Sequence, residues 1–169
     1  MMNSVLLRNS LTNNLQEGID FVTNLSAEQY NNATIPPFYS SIGAHIRHII
    51  EICQAVTKGL DSEDKIIDLS YRARDIQLQT RPEMAIEALN LIKLRLSNLR
   101  QEDLEQSYLL RDDLGLGMVH SQTLLSSVLI QIYAHNVHHY SFVKQLAFSL
   151  DASFEVHGRF GLNATTPKS

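Results

Sequence analysis

Hydrophobic residues recur at intervals of three and four along four stretches of this chain, separated by polar positions. This spacing is the periodicity of amphipathic α-helices. Ser40 or Ser41 marks the start of the second stretch, because serine caps the first turn of a helix. Pro82 marks the start of the third, because proline fits the first turn. The four predicted helices run from about Ser4 to Leu25, from Ser40 or Ser41 to Gly59, from Thr80 to Leu99, and from about His120 to Ser149.

Two stretches without helical periodicity connect these predicted helices. They run from Asp61 to Thr80 and from Leu99 to Val119. The second is predicted to be either a loop or a short hairpin around Gly115 and Gly117. The pattern contains no sign of a parallel sheet. It therefore predicts an all-α fold, an antiparallel four-helix bundle, in one domain spanning residues 1–169.

The composition is that of an ordinary folded domain, with 44% hydrophobic and 19% charged residues among 169 and a formal net charge of −4. An acidic chain without a lysine-arginine cluster argues against a nucleic-acid partner. The chain contains no run of about 18 apolar residues and is therefore not expected to span a membrane. The N-terminal residues do not resemble a signal peptide, and the single cysteine, Cys53, suits a reducing compartment. A cytoplasmic location is expected.

The segment AHNVHHY, residues 134–140, crowds three of the seven histidines into the fourth predicted helix. Residues four apart on a helix lie about 40° apart around its axis. His135 and His139 therefore share the apolar face, whereas His138 lies at its edge. Two buried imidazoles need partners for their nitrogens. Those partners are either backbone carbonyls and buried water, or a metal ion that both histidines bind.

More ligands for such an ion would come from the second predicted helix, in GAHIRHIIE. His45 lies nearer the centre of that helix's apolar face, and His48 lies at the edge. Periodicity alone slightly favours His45 as the inward residue, but an edge residue can also point into a gap between helices. Both histidines remain candidates on spacing alone.

Four motifs together give the chain a family resemblance. The segments SIGAHIRHIIE, DLSYRARD, AHNVHHYSFV and FGLNATTP, in this order, resemble the DinB family, also called the DinB/YfiT-like metalloenzymes. The resemblance implies a four-helix bundle, usually a homodimer, with a divalent metal held by one histidine from the second helix and two from the fourth. By position these are His48, His135 and His139, and His45 is either a residue that contacts these ligands without binding the ion or an alternative ligand. The chain departs from the family pattern at Ser126-Ser127 and Asn163-Ala164.

Three neutral imidazoles leave a divalent ion at least one open position, as in catalytic rather than structural sites. An all-nitrogen site suits zinc, nickel, iron or copper. The resemblance implies metal-dependent hydrolysis or thiol transfer. Because imidazoles must be neutral to bind a metal, affinity is expected to fall below pH ~6.5.

Residues around such an ion have alternative interpretations. Tyr71, Asp75 and Tyr140 either contact the metal ligands without binding the ion, or are two packing tyrosines and a surface carboxylate. Arg72 and Arg74 either bind an anionic group or pair with Asp68 and Asp75. Glu51 has no evident role, and His120 and His157 are expected at the surface. The alternative functions are a non-catalytic metal- or ligand-binding dimer and a purely structural dimerisation module.

Overall fold

A computed structural model describes residues 4–156, 158–163 and 165–166. Four long helices carry most of these residues, and three short helices and three strands connect them. In chain order the elements are α1 (Ser4–Thr23), α2 (Ala27–Asn31), α3 (Ile42–Leu60), β1 (Ile66–Asp68), α4 (Ile76–Thr80), α5 (Pro82–Ser97), α6 (Gln101–Leu104), β2 (Ser107–Asp113), β3 (Met118–Leu124) and α7 (Leu125–Leu150).

The four predicted helices correspond to α1, α3, α5 and α7, and the bounds of the first three are close to those expected. The start of α3 matters most for the site. The Ser41 side chain accepts a hydrogen bond from the backbone N–H of Ala44, which satisfies a donor that the first helical turn leaves without a partner. Pro82 occupies the first turn of α5, where its missing N–H costs nothing.

The prediction of an all-α bundle is wrong, because the chain also forms a three-stranded sheet in the order β1-β2-β3. Of the loop and the short hairpin predicted as alternatives around Gly115 and Gly117, the hairpin forms, and both glycines adopt positive φ angles there. β1, however, pairs parallel with β2. A three-residue strand is too short for a hydrophobic pattern, and its partner lies some forty residues further along the chain. Only the burial of Ile67 marks it as part of the core.

The fourth helix also begins later than predicted, at Leu125 rather than near His120. Residues 118–124 form β3, which is almost entirely exposed and therefore lacks the apolar alternation of a half-buried strand. The predicted connection 61–80 therefore contains β1 and α4. The predicted connection 99–119 contains α6, β2 and the start of β3.

The core lies between the long helices. Helix α1 packs against α5 and α7, and α3 packs against the same two helices. Cys53 on α3 is buried there, and burial raises the pKa of its thiol to about 12. Within the described part of the chain, no helix is both long and apolar enough to cross a membrane.

Candidate metal site

Three histidines from two helices meet between α3 and α7. One nitrogen each from His48, His135 and His139 lies within 4.8 Å of the other two. The Nε2 atoms of His48 and His135 are 3.2 Å apart. Ligand nitrogens at 2.0–2.1 Å from a tetrahedral ion lie about 3.3 Å from one another. The cluster could therefore hold a metal ion after only small movements.

The orientation of α7 about its own axis directs these side chains towards α3. The buried line along α7 passes through Ile132, Asn136 and Tyr140, all at most 1% exposed. His135 and His139 lie beside this line and are only half-buried. The expectation that they share one helix face is confirmed, but that face borders the core rather than forming its centre. His138 is exposed, as expected.

A buried polar pair connects α7 to α1 beside the cluster. The Nδ2 group of Asn136 donates to Oδ1 of Asn14 at 3.0 Å, and both residues are at most 2% exposed. A buried hydrogen bond of this kind restricts how α7 can rotate, because turning the helix would leave both amides unpaired. Asn136 follows Ile132 by four residues and precedes Tyr140 by four, so helical periodicity could have identified it as an inward polar residue.

Burial keeps the imidazoles neutral. The pKa of His48 is lowered to about 4. Burial is the largest cause, and electrostatic repulsion from His135, Arg72 and other nearby basic groups adds to it. Burial and the neighbouring histidines lower the pKa of His139 to about 3, and burial also lowers that of His135. Neutral imidazoles have the free lone pair that a metal needs. Protons therefore compete for these nitrogens at a lower pH than the ~6.5 expected for ordinary histidines.

His45 also reaches the cluster, although it lies outside the group of three. Its Nδ1 atom is 3.1 Å from Nδ1 of His139, and its Nε2 atom is 2.9 Å from the hydroxyl oxygen of Ser40. Of the two α3 histidines that spacing left open, His48 thus meets both α7 histidines, and His45 contacts one of them from outside.

Glu51 has a structural role that the sequence did not suggest. Its carboxylate is only 4% exposed and accepts a hydrogen bond from the backbone N–H of Arg74. It also lies 3.9 Å from Nε of Arg47, one turn earlier on α3. These contacts fasten residues 69–75, which we call the strap, to α3 one turn beyond His48.

The two strap arginines make different contacts. Arg72 donates to the carbonyls of Leu69 and Tyr71, and its charge contributes to lowering the pKa of His48 and His135. Arg74 contributes its backbone N–H, as described above. Asp68 pairs with Arg111 at 3.5 Å, not with either strap arginine.

The other predicted site residues are engaged elsewhere. Asp75 is exposed and caps α4 by accepting from the N–H of Gln77. Tyr71 is 52% exposed, with the ammonium group of Lys58 over its ring. Tyr140 is buried and stacks on Phe160.

The remaining sequence expectations concern residues outside the cluster. His120 is exposed, as expected, whereas His157 lies outside the described residues. Of the departures from the family pattern, Ser126 is buried and Ser127 exposed at the start of α7, and Ala164 is not described.

Comparison with models of protein families, with curated proteins and with solved structures gives no match for this chain. The resemblance to the DinB family therefore stays a prediction. What the structure supplies independently is the meeting of three neutral imidazoles from α3 and α7.

Proposed function

We propose that this chain is a DinB-type metalloprotein that binds one divalent ion through His48, His135 and His139. The observation that carries this proposal is the convergence of three imidazole nitrogens within 4.8 Å. Zinc, nickel, iron and copper all suit an all-nitrogen set of ligands. With three protein ligands, an ion keeps an open position for a small molecule.

We further propose that the protein catalyses attack of a thiol on an electrophilic substrate. A carbon–sulfur bond forms as the leaving group departs from the carbon, and the thiol proton passes to solvent. A divalent ion with an open position lowers the pKa of a thiol or water molecule that binds it. A thiolate is an anion, and the positive charges of Arg72 and Arg47 both act on His48. These charges favour an anionic nucleophile beside the imidazoles.

Metal-dependent hydrolysis is the second candidate. It commonly uses a general acid or base, most often a histidine or a carboxylate, to move protons during the reaction. Glu51 is the buried carboxylate closest in sequence to His48, but its oxygen accepts from Arg74 and lies beside Arg47. The candidate metal group among the described residues consists of histidines alone. Both nucleophiles can lose their proton to solvent once the metal lowers their pKa, but hydrolysis of an amide or ester also needs a proton for the leaving group. Alkylation of a thiol does not, and we therefore place thiol transfer first.

The metal test uses elemental analysis of the protein after loading with Zn²⁺, Ni²⁺, Fe²⁺ or Co²⁺ and removal of free ion. Wild-type protein is expected to retain one ion per chain. His48→Ala, His135→Ala and His139→Ala are expected to lose it. His138→Ala is the matched control, because His138 is on the same helix but exposed. Metal retained in His139→Ala, or lost in His138→Ala, would contradict the proposed ligand set.

The activity test compares two sets of substrates with the loaded protein. Low-molecular-weight thiols paired with alkylating electrophiles are expected to react in a metal-dependent manner. Simple esters and amides, tested at equal concentration, are expected to react little. Faster turnover of the esters or amides would favour hydrolysis. Metal binding without turnover of either set would leave a non-catalytic metal-binding protein.

A further inference from the structure

His45 joins Ser40 and His139 in a short chain of hydrogen-bonding groups. The His45 ring lies between the hydroxyl oxygen of Ser40, 2.9 Å from its Nε2, and Nδ1 of His139, 3.1 Å from its Nδ1. Its flat face packs against the ring of Phe142, with the centroids 5.5 Å apart and the planes 21° from parallel. These contacts hold the imidazole of His45 in one orientation.

Only one arrangement of protons along the series Ser40, His45 and His139 leaves His139 able to bind a metal. With Nδ1 of His139 facing His45, its Nε2 is the nitrogen left for an ion. If His45 donated from its own Nδ1, neutral His139 would carry its proton on Nε2, which would block the ligand atom. If His139 donates from Nδ1 instead, Nε2 keeps its lone pair.

The hydroxyl of Ser40 can complete the second arrangement, because a hydroxyl accepts as well as donates a hydrogen bond. When Nδ1 of His45 accepts from His139, the single proton of neutral His45 lies on Nε2. That proton points to the hydroxyl oxygen of Ser40, which accepts it. Each of the three imidazole nitrogens in this series then has a hydrogen-bond partner.

We infer that Ser40 and His45 are positioning residues, which fix His139 as the Nδ1-protonated tautomer with Nε2 directed to the metal. This inference rests on the proposed function for the role of His139 as a ligand. Metal-binding histidines usually donate their second N–H to a fixed acceptor, and loss of that acceptor lowers metal affinity by roughly 10- to 100-fold. Here the acceptor is a second histidine, itself fixed by a serine.

The test measures Zn²⁺ affinity by competition with a chelator in wild-type protein and in His45→Ala, His45→Asn and Ser40→Ala. His45→Ala is expected to weaken binding by roughly 10- to 100-fold while one ion per chain still binds at saturation. His45→Asn keeps an acceptor near the position of Nδ1 and should recover much of the affinity. Ser40→Ala should produce a smaller loss than His45→Ala.

The matched control is His138→Ala. The His138 ring also contacts the ring of His139, with centroids 5.3 Å apart, but no hydrogen bond joins them among the described contacts. Its removal is expected to leave the affinity unchanged. Unfolding temperatures of the metal-free variants show whether an affinity loss reflects misfolding.

A second readout reports the tautomer directly. Long-range ¹H–¹⁵N spectra of the zinc-loaded protein distinguish a histidine protonated on Nδ1 from one protonated on Nε2. His139 is expected to carry its proton on Nδ1 in wild-type protein, and the slowly exchanging Nδ1 proton should disappear in His45→Ala. The Co²⁺-loaded protein should show a changed visible spectrum in the same variant.

Three outcomes separate the inference from the proposed function. If wild-type protein binds no metal, the proposed function fails and this inference fails with it. If His45→Ala binds Zn²⁺ as tightly as wild-type protein while His139→Ala does not bind, only the inference is overturned. If His45→Ala loses the ion completely at saturation, as His139→Ala does, His45 is a ligand and the inference is again overturned.

Discussion

Gly18 on α1 and Tyr140 on α7 touch so closely that their substitutions should compensate each other. A Cβ atom added at Gly18 would lie 2.3 Å from the hydroxyl oxygen of Tyr140 and 2.8 Å from its Cζ. Tyr140 is fully buried and stacks on Phe160 at 4.7 Å, so its ring has little room to move. The hydroxyl also has no hydrogen-bond partner among the described residues.

These contacts set the expected free energies of unfolding. Overpacking by one methyl group costs about 1–3 kcal/mol, and alanine gains up to about 1 kcal/mol over glycine within a helix. Gly18→Ala should therefore destabilise the protein by about 1–2 kcal/mol. Tyr140→Phe removes a buried hydroxyl whose burial without a partner costs about 1–3 kcal/mol, offset by lost packing. It should be neutral or slightly stabilising.

The double variant should recover part of the stability, because the new methyl group occupies space that the hydroxyl leaves, while the Cζ atom at 2.8 Å still has to move. A coupling free energy of about 1 kcal/mol is expected from urea unfolding followed by circular dichroism. Gly18→Ala combined with Tyr133→Phe, a half-buried tyrosine on the same helix, is the matched control and should be additive. Additivity within about 0.5 kcal/mol in the Tyr140 pair would refute the reasoning. Metal content should be unchanged in Tyr140→Phe, since its ring packs towards α1.

Three further predictions concern acidity, the polar core and assembly. In metal-free protein the pKa values of His48 and His139, about 4 and 3, lie below the ~6.5 of unfolded histidines. The unfolded chain thus takes up protons first, and the free energy of unfolding should fall as pH drops from ~6.5 towards 4. A melting temperature independent of pH in this range would contradict this prediction. Asn136→Ala should cost about 2–3 kcal/mol, because it leaves Asn14 buried without its partner; a loss below about 0.5 kcal/mol by urea unfolding would show that the pair does not hold α7. The chain should form a homodimer, as the family resemblance implies, and a monomer mass by light scattering at all concentrations would count against this.

Local periodicity was sufficient to predict the long helices and the pairing of His135 with His139. Both depend on positions three or four residues apart, which one helix determines by itself. The choice of His48 over His45 came from the resemblance, because two edge positions on one helix cannot be separated without the neighbouring helix. The structure shows both residues reaching α7, through different partners.

Interactions between distant segments were not accessible to the same reasoning. The pairing of Ile66 with Leu109 joins residues far apart in sequence, and neither strand carries a distinctive pattern. The contact between Asn14 and Asn136 joins residues 122 positions apart. Such a contact sets the rotation of α7, and it is this rotation that places the histidines beside the core rather than at its centre.

The burial of Cys53 determines what kind of thiol kinetics the protein can show. It is the only cysteine in the chain, it is 1% exposed, and burial raises its pKa to about 12. A thiol so protected reacts slowly with alkylating reagents, because the thiolate is the reactive form. The chain therefore cannot carry a substrate group on its own sulfur between two half-reactions. In the proposed thiol transfer, a ping-pong route through Cys53 is therefore not expected. Thiol and electrophile should bind together in a ternary complex, and iodoacetamide should leave Cys53 of the folded protein unmodified.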